Sequence, residues 1–265
     1  MKKVTCDQLV FRGINILLIG FLLLPIGIVL LFAFNSADFI VFPPEGFSLR
    51  WFGKFFTSED FMNAFFLSLR LAALTVIIST IAGTMAAIAI VRGKVPGARF
   101  LAALFLSPLM LPAILTGLAL FQFYVILEVG RTFSGLLIGH VVVTVPYVIR
   151  TSTSVLYNFD VSIEEAARNL GADGLATFWH ITLPLIRPGV IAGSIFAFIV
   201  SFDQFPVSLF LVKPGNITLP IQLFNHLKYA FDPIVAAAAT VSIALSVMVV
   251  LVLEFTIGLQ EYVKL

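Results

Sequence analysis

Six apolar runs, each about as long as a membrane crossing, constrain this chain more than any other feature. They cover about residues 14–34, 64–91, 100–127, 134–156, 189–212 and 234–258. A helix rises about 1.5 Å per residue, so roughly 20 apolar residues cross a hydrocarbon core of about 30 Å. The bulk composition agrees: 60% of the residues are hydrophobic and only 11% are charged, where a soluble domain carries about 25% charged residues. The expectation is an all-α integral membrane protein with six transmembrane helices.

Several function classes fall away on the same ground. A net charge of +2 supplies no electrostatic footprint for nucleic acid. Cys6 is the only cysteine, which excludes an intrachain disulfide and a cysteine-based metal site. His140, His180 and His226 lie on different elements, a poor arrangement for a metal. No phosphate-binding G-x-x-x-x-G-K-[ST] loop and no nucleophile–His–acid set stands out, so the chain does not read as an enzyme. Lys2, Lys3 and Arg12 precede the first run. That run is too long for a cleavable signal and lacks a small-x-small cleavage site, so it reads as a first span.

An even number of spans puts both termini on one side, and Lys and Arg decide which. With the N-terminus inside, the inner segments hold Lys2, Lys3, Arg12, Arg92, Lys94, Arg99, Arg150, Arg168, Arg187 and Lys264. The outer ones hold Arg50, Lys54, Arg70, Arg131, Lys213 and Lys228. Ten against six favours N-in, C-in. The orientation places Ser162–Pro188, a polar island between two apolar blocks, in the cytoplasm.

That island has strong local punctuation. Ser162-x-x-Glu165 reads as a capping box, and Glu164 with Glu165 suits the positive end of a helix dipole. Gly171 can take the left-handed conformation that closes a helix. Asp173 can then cap a second short helix running to about Ile181, with Pro184 and Pro188 marking its end. Leu175, Phe178 and Trp179 would ride on that second helix. Two roles suit such a knuckle: docking into a groove on another protein, or lying on the lipid surface as an amphipathic connector.

Glu165-Ala166-Ala167, three residues, Gly171, nine residues and Ile181-x-Leu183-Pro184 together match EAA-x3-G-x9-I-x-LP at every fixed position. The stretch resembles the cytoplasmic coupling loop of ABC importer permeases of type I. The loop with Phe34-Asn35-Ser36 and Gly46-Phe47-Ser48-Leu49-Arg50-Trp51-Phe52, and the later order Leu211-Val212-Lys213-Pro214-Gly215, Thr218-Leu219-Pro220 and Phe231-Asp232-Pro233, are similar to the spermidine/putrescine-type permeases over essentially the whole chain. The resemblance implies a first helix with an outer loop over 1–62 and a transmembrane core over 63–260, with the coupling loop at 160–188. It implies a second, homologous permease, two cytoplasmic ATPases that carry ATP and Mg, a periplasmic substrate-binding protein, and a bacterial inner-membrane location. Glu165, Ala166, Ala167, Gly171, Ile181, Leu183 and Pro184 would couple to the ATPase.

Within the spans, polar residues mark the candidate passage. Ser79, Gly83 and Ala87 recur at i, i+4, i+8, a small-residue packing face. His140, Thr144 and Tyr147 form a polar stripe that should face the bundle interior, so His140 and Tyr147 are candidate pathway residues. Pro108, Pro112 and Pro146 interrupt spans three and four. Trp51, Phe52, Phe55 and Phe56 suit the headgroup region. Ser201, Gln204 and Ser208 share one face beside Asp203, with Pro206 interrupting the helix. Asp203 is the one acid deep in a span, whereas Glu254 lies near the end of the last. An acid at that depth marks a functional site unless it pairs structurally, with Arg70 the available cation. A carboxylate beside a broken helix could meet a cationic amine. The polyamine-type permeases commonly carry two adjacent acids where this chain has Asp203 and Gln204. That departure makes a monoamine or a zwitterion such as 4-aminobutyrate an alternative to a polyamine. A self-sufficient secondary transporter would leave the EAA stretch unexplained.

Overall fold

The computed structural model describes residues 6–93, 95–128 and 131–257, with side chains described from residue 11 to 252. Lys2, Lys3, Lys94 and Lys264 of the charge argument, and the side chain of Glu254, lie outside that description. Among the described residues the α-helices follow in the order α1 (Cys6–Ala33), α2 (Arg50–Thr57), α3 (Glu59–Val91), α4 (Ala98–Leu106), α5 (Ala113–Ile126), α6 (Phe133–Asn158), α7 (Val161–Asn169), α8 (Gly174–Thr177), α9 (Leu183–Phe202), α10 (Phe205–Leu211), α11 (Leu219–Tyr229) and α12 (Ile234–Ile257).

Five stretches are long and apolar enough to cross a membrane: Phe11–Ala33, Glu59–Val91, Phe133–Asn158, Gly174–Phe202 and Ile234–Val252. The remaining apolar run forms a bent pair of helices in place of one straight span. Ala98–Leu109 and Ala113–Ile126 meet at 104°, so the continuous helix expected over 100–127 does not form. Pro112 has no N–H to extend the first half, and it disfavours the helical region for Leu111 before it. The second half starts afresh with Pro112 as its N-cap residue.

The fifth run differs in the opposite sense. The second helix of the knuckle does not end at Pro184 and Pro188. It widens into a π turn at Phe178–Thr182 and continues directly into α9. Pro184 sits in the first turn of α9 and Pro188 inside it. The π turn thus lies immediately before Pro184, the first residue that cannot donate to the i→i−4 ladder. The interruption falls instead at Asp203 and Gln204, and Pro206 opens α10 in the first turn, where proline is tolerated.

The chain divides into two compact units. One holds the chain through Met62 together with Leu223–Leu245. In it the aromatic stretch is not a simple headgroup anchor. Trp51 and Phe55 are buried, and the Trp51 indole donates to Ala37 O at 3.2 Å. Arg50 pairs with Asp38 and stacks over the Trp51 ring at 4.6 Å. Asp232 accepts from Lys54 at 3.4 Å and bonds His226 Nε2 at 2.9 Å. Phe56 stays exposed. Eight residues of helix give α2 an inner face, and that face takes Trp51 and Phe55 at i and i+4.

The other unit runs from Asn63 to Gln222 and resumes at Ser246. Its centre is α6, packed between α3 and α9 at backbone-to-backbone closeness. A Cβ on Gly193 would lie 2.5 Å from Thr151 Oγ1 and 2.6 Å from Val148 Cα, and one on Gly83 would lie 2.6 Å from Val148 Cβ. Hydroxyl pairs lace the three helices: Ser79–Thr144 at 2.7 Å and Thr80–Ser194 at 2.7 Å. The small-residue face of α3 is therefore a packing face, with Ser79 and Ala87 fully buried. Apolar surface gains little between helices in lipid, so close packing and hydrogen bonds carry the association.

Candidate functional site

Two interruptions of regular helix, both in this second unit, carry the candidate chemistry. The first is the knuckle. Its helix α7 starts two residues earlier than the capping-box reading predicts: Asp160, not Ser162, is the N-cap, and its carboxylate accepts from Ser162 N at 2.9 Å. This hydrogen bond lowers the Asp160 pKa. Gly171 closes α7 at φ +97°, with Gly171 N bonded to Arg168 O and Ala172 N to Ala167 O, both at 3.0 Å. That pair of bonds is a Schellman closure, and only glycine takes its left-handed position without strain. Asp173 then caps α8, accepting from Ala176 N at 2.7 Å.

The knuckle presents apolar side chains to the outside. Leu170 is 90% exposed, Leu175 68% and Trp179 57%. Glu165 and Ala166 are exposed beside them, as is Pro184, while Ala167, Ile181 and Leu183 are half-buried. The EAA residues thus split between a presented surface and its footing.

The footing contains residues that sequence reasoning missed. Glu164, next to the motif glutamate, is only 3% exposed. Its Oε2 accepts from Arg92 Nε at 3.2 Å and its Oε1 from the Thr182 hydroxyl at 2.7 Å. Arg92 Nη2 donates to Phe159 O at 3.3 Å, and the guanidinium lies 5.4 Å from the Phe159 ring centroid. Arg92 entered the sequence reading only as a positive charge at a span end. The available signal was a second acid in the first turn of a helix whose outward face already had one.

The second interruption lies between α9 and α10. Asp203 caps the C-terminus of α9, and its N–H reaches back to Ile199 O at 3.1 Å. Its side chain is exposed, whereas Gln204 is 7% exposed. No ion pair joins Asp203 to Arg70 among the described residues; the Arg70 guanidinium instead sits 5.0 Å from the Phe133 ring centroid. His140 spans the break. It is 1% exposed, with Nδ1 2.9 Å from Ser201 Oγ and Nε2 2.9 Å from Ser208 Oγ. One imidazole thereby joins the last turn of α9 to the first turn of α10. Thr144 donates to His140 O at 2.8 Å and pairs with Ser79, extending the network to α3. The structure places His140 in the interior as a staple, without a free face.

Tyr147, one step along the same stripe, is half-buried and stacks on Phe196 at 6.0 Å with the rings 23° apart. Both line a cleft of about 500 Å³ between α6 and α9, with Arg150, Thr151, Ser154, Gly189 and Ala192 among its other walls. The candidate pathway residues therefore separate: Tyr147 lines a cleft, Asp203 is exposed at a helix break, and Gln204 and His140 are interior.

Residues 79–262 match the family model for the binding-protein-dependent transport system inner membrane component. The putrescine transport system permease protein PotI of Escherichia coli K12 is 36% identical over 86% of this chain and 84% of its own length. The spermidine/putrescine permease protein PotC of the same organism is 30% identical over 92% of both chains. Among solved structures, a chain of a bacterial alginate ABC transporter, in complex with its alginate-bound periplasmic protein, superposes with a TM-score of 0.73 at 17% identity, covering 96% of this chain and 95% of that one. The fold is that of ABC importer permeases, subunits that are not themselves enzymes. The break at Asp203, the laced α3–α6–α9 core and the closed knuckle are thus features of a multi-pass protein that belongs to the binding-protein-dependent ABC importer permease family and resembles its spermidine/putrescine members.

Proposed function

We propose that the chain forms half of the translocation path of an ATP-driven importer for a small amine-type solute, a polyamine or a related compound such as 4-aminobutyrate. A substrate-binding protein delivers the solute from the periplasm, a second and homologous permease completes the path, and two ATPases bind the cytoplasmic face. The chain sits in a bacterial inner membrane with both termini inside. ATP and its magnesium ion are handled by the ATPases, and this chain holds no cofactor. The observation that carries the reading is the knuckle. A helix end closed by Gly171 presents Leu170, Leu175 and Trp179 at one end of a transmembrane bundle, a surface shaped for a protein groove.

In this reading Glu165, Ala166, Ala167 and Gly171, with Ile181, Leu183 and Pro184 on the descending limb, receive the motion of the ATPases. ATP-driven closure moves the knuckle and shifts the permease pair between inward-open and outward-open states. Asp203 offers a carboxylate at a helix break, where the freed backbone groups and a negative charge together suit an ammonium group. Tyr147 contributes an aromatic face to the cleft, which suits a cation passing at close range. Gln204 replaces a second negative charge with an amide. The attraction for a dication is therefore halved in formal charge, and a singly charged or zwitterionic amine is discriminated against less.

The test is uptake into proteoliposomes that hold the full complex, with ATP on the ATPase side and labelled putrescine, spermidine and 4-aminobutyrate compared. ATP-dependent uptake of a polyamine fixes the subfamily and makes Asp203→Asn the next variant. Uptake of 4-aminobutyrate alone makes Gln204 the mark of a changed substrate. No ATP-dependent uptake of any amine would remove the amine assignment.

A further inference from the structure

We propose that Glu164 is the positioning residue of the knuckle. Its buried carboxylate, held by Arg92 and Thr182, fixes both limbs of the knuckle to the end of α3, so that a push on the exposed tip moves the helices above it. The inference rests on the reading of the knuckle as an ATPase-docking element and adds the residues through which docking acts on the bundle.

The argument starts from the cost of the arrangement. A carboxylate and a guanidinium removed from water lose hydration that their mutual attraction repays only with good geometry and further hydrogen bonds. Here both conditions are met. Glu164 uses one oxygen for Arg92 and the other for Thr182, and Arg92 uses a second nitrogen for Phe159 O. The pair is largely shielded, with Arg92 side-chain exposure at 17% and Glu164 at 5%. Such a pair contributes little net stability against an apolar replacement, so it is better suited to fixing one geometry.

The geometry it fixes is specific. Arg92 follows the last residue of α3, Phe159 is the C-cap of α6, Glu164 lies on α7, and Thr182 ends the π turn before α9. The ends of α3 and α6, the start of α9 and the ascending limb of the knuckle are therefore tied together through one Glu164–Arg92 pair. The knuckle has no comparable fixing at its tip, where Gly171 and Gly174 have nothing within 4 Å of an added Cβ. A body anchored at its base and open at its tip transmits displacement as a lever. Glu165, the motif glutamate, faces outward and is free to meet the ATPase; Glu164 faces inward and meets the bundle. Adjacent acids thus have separate duties, one on each side of α7.

The experiment uses the assembled complex and reads labelled putrescine, spermidine or 4-aminobutyrate, whichever the unaltered complex imports, taken up per ATP hydrolysed. Glu164→Gln keeps the shape and one hydrogen-bonding oxygen but removes the charge that holds Arg92. The expected result is a complex of normal subunit composition that still hydrolyses ATP, with import per ATP reduced roughly tenfold, within the usual range of coupling between sites. Thr182→Val removes one anchor and leaves the ion pair, so its loss should be smaller. Glu165→Gln should instead weaken co-purification with the ATPase. A purely structural role would lower the amount of complex without changing import per ATP in what remains. Normal import per ATP in Glu164→Gln overturns the proposal, as does loss of assembly in both Glu164→Gln and Thr182→Val. Failure of the unaltered chain to co-purify with an ATPase subunit removes the docking reading, and this proposal with it.

Discussion

The knuckle and the break at Asp203 are both places where a helix stops, yet they are built from opposite materials. At the knuckle the chain reverses through a glycine with φ +97°, the tip is open, and a charged pair holds the base. At the break α10 begins after two residues, and a buried hydrogen-bond network closes over the gap through His140, Ser201 and Ser208. Charge is used near the end of the bundle, where partial hydration is available. Hydroxyls and imidazole are used deep inside, where an unpaired charge would cost several kcal/mol. The exception is Asp203, which sits at the deep break and remains exposed. The open carboxylate is thus the one charged group at an otherwise hydroxyl- and imidazole-closed break.

The contrast predicts different failures. Gly171→Val places a β-branched residue in a left-handed conformation, at a cost of about 1–2 kcal/mol or more. No neighbouring atom is within 4 Å of the added Cβ, so the strain is relieved by re-aiming the tip rather than by unfolding the bundle. ATP-driven uptake should be abolished while the amount of protein inserted in membranes and its thermal midpoint stay near those of the unaltered chain. Retained uptake would show that the closure at Gly171 is not needed for coupling.

At the break the order of effects should invert, with stability lost first. His140→Ala deletes both hydrogen bonds across the gap and leaves two buried hydroxyls without that partner, a loss of about 1–3 kcal/mol. Ser201→Ala and Ser208→Ala each remove one bond and should cost less. The two serine effects should be non-additive with His140→Ala in a double-mutant cycle, read by thermal unfolding in detergent. Additive effects would mean that the imidazole does not staple the halves together.

Much of this was legible from sequence, in proportion to how local each cause is. The six apolar runs, Gly171 as a closure and Asp173 as a cap depend on residues within a turn or two of one another. Ser79, Gly83 and Ala87 announced a packing face because their spacing is the helix repeat itself. The failures come from competing local signals or from partners distant in sequence. Ser162 reads as a cap by its own spacing to Glu165, but Asp160 caps α7. Glu164 lies on the inner face, where Arg92, 72 residues away in sequence, receives it. Pro184 and Pro188 read as a stop, yet a π turn upstream carries the helix through them. Pro108 and Pro112 were noticed inside the third run, but not that the run would bend by 104°. His140 lay on a visible stripe; that it would serve both Ser201 and Ser208 required knowing that α9 breaks between them.

The smallest effect concerns the other end of α7. Asp160 is fully exposed, and its pKa is lowered by the hydrogen bond from the Ser162 N–H, with a further contribution from the Ser162 side chain. A carboxyl whose folded pKa is depressed adds stability above its unfolded pKa, and that stability is lost as pH falls through the lower folded value. The first turn of α7 should therefore fray in acid, starting below the ordinary carboxylate range, while the Gly171 closure, which contains no titrating group, holds. Amide exchange at Ser162 and Ile163 should accelerate relative to Ala172 as the pH is lowered, once the intrinsic pH dependence of exchange is divided out. Asp160→Asn keeps a good N-cap but cannot titrate, so it should flatten that relative change. An equal acceleration in both proteins would assign the fraying to something other than the cap. Because the footing at Glu164 lies one turn further on, fraying confined to Ser162 and Ile163 would also show that the helix start can loosen while the knuckle keeps its base.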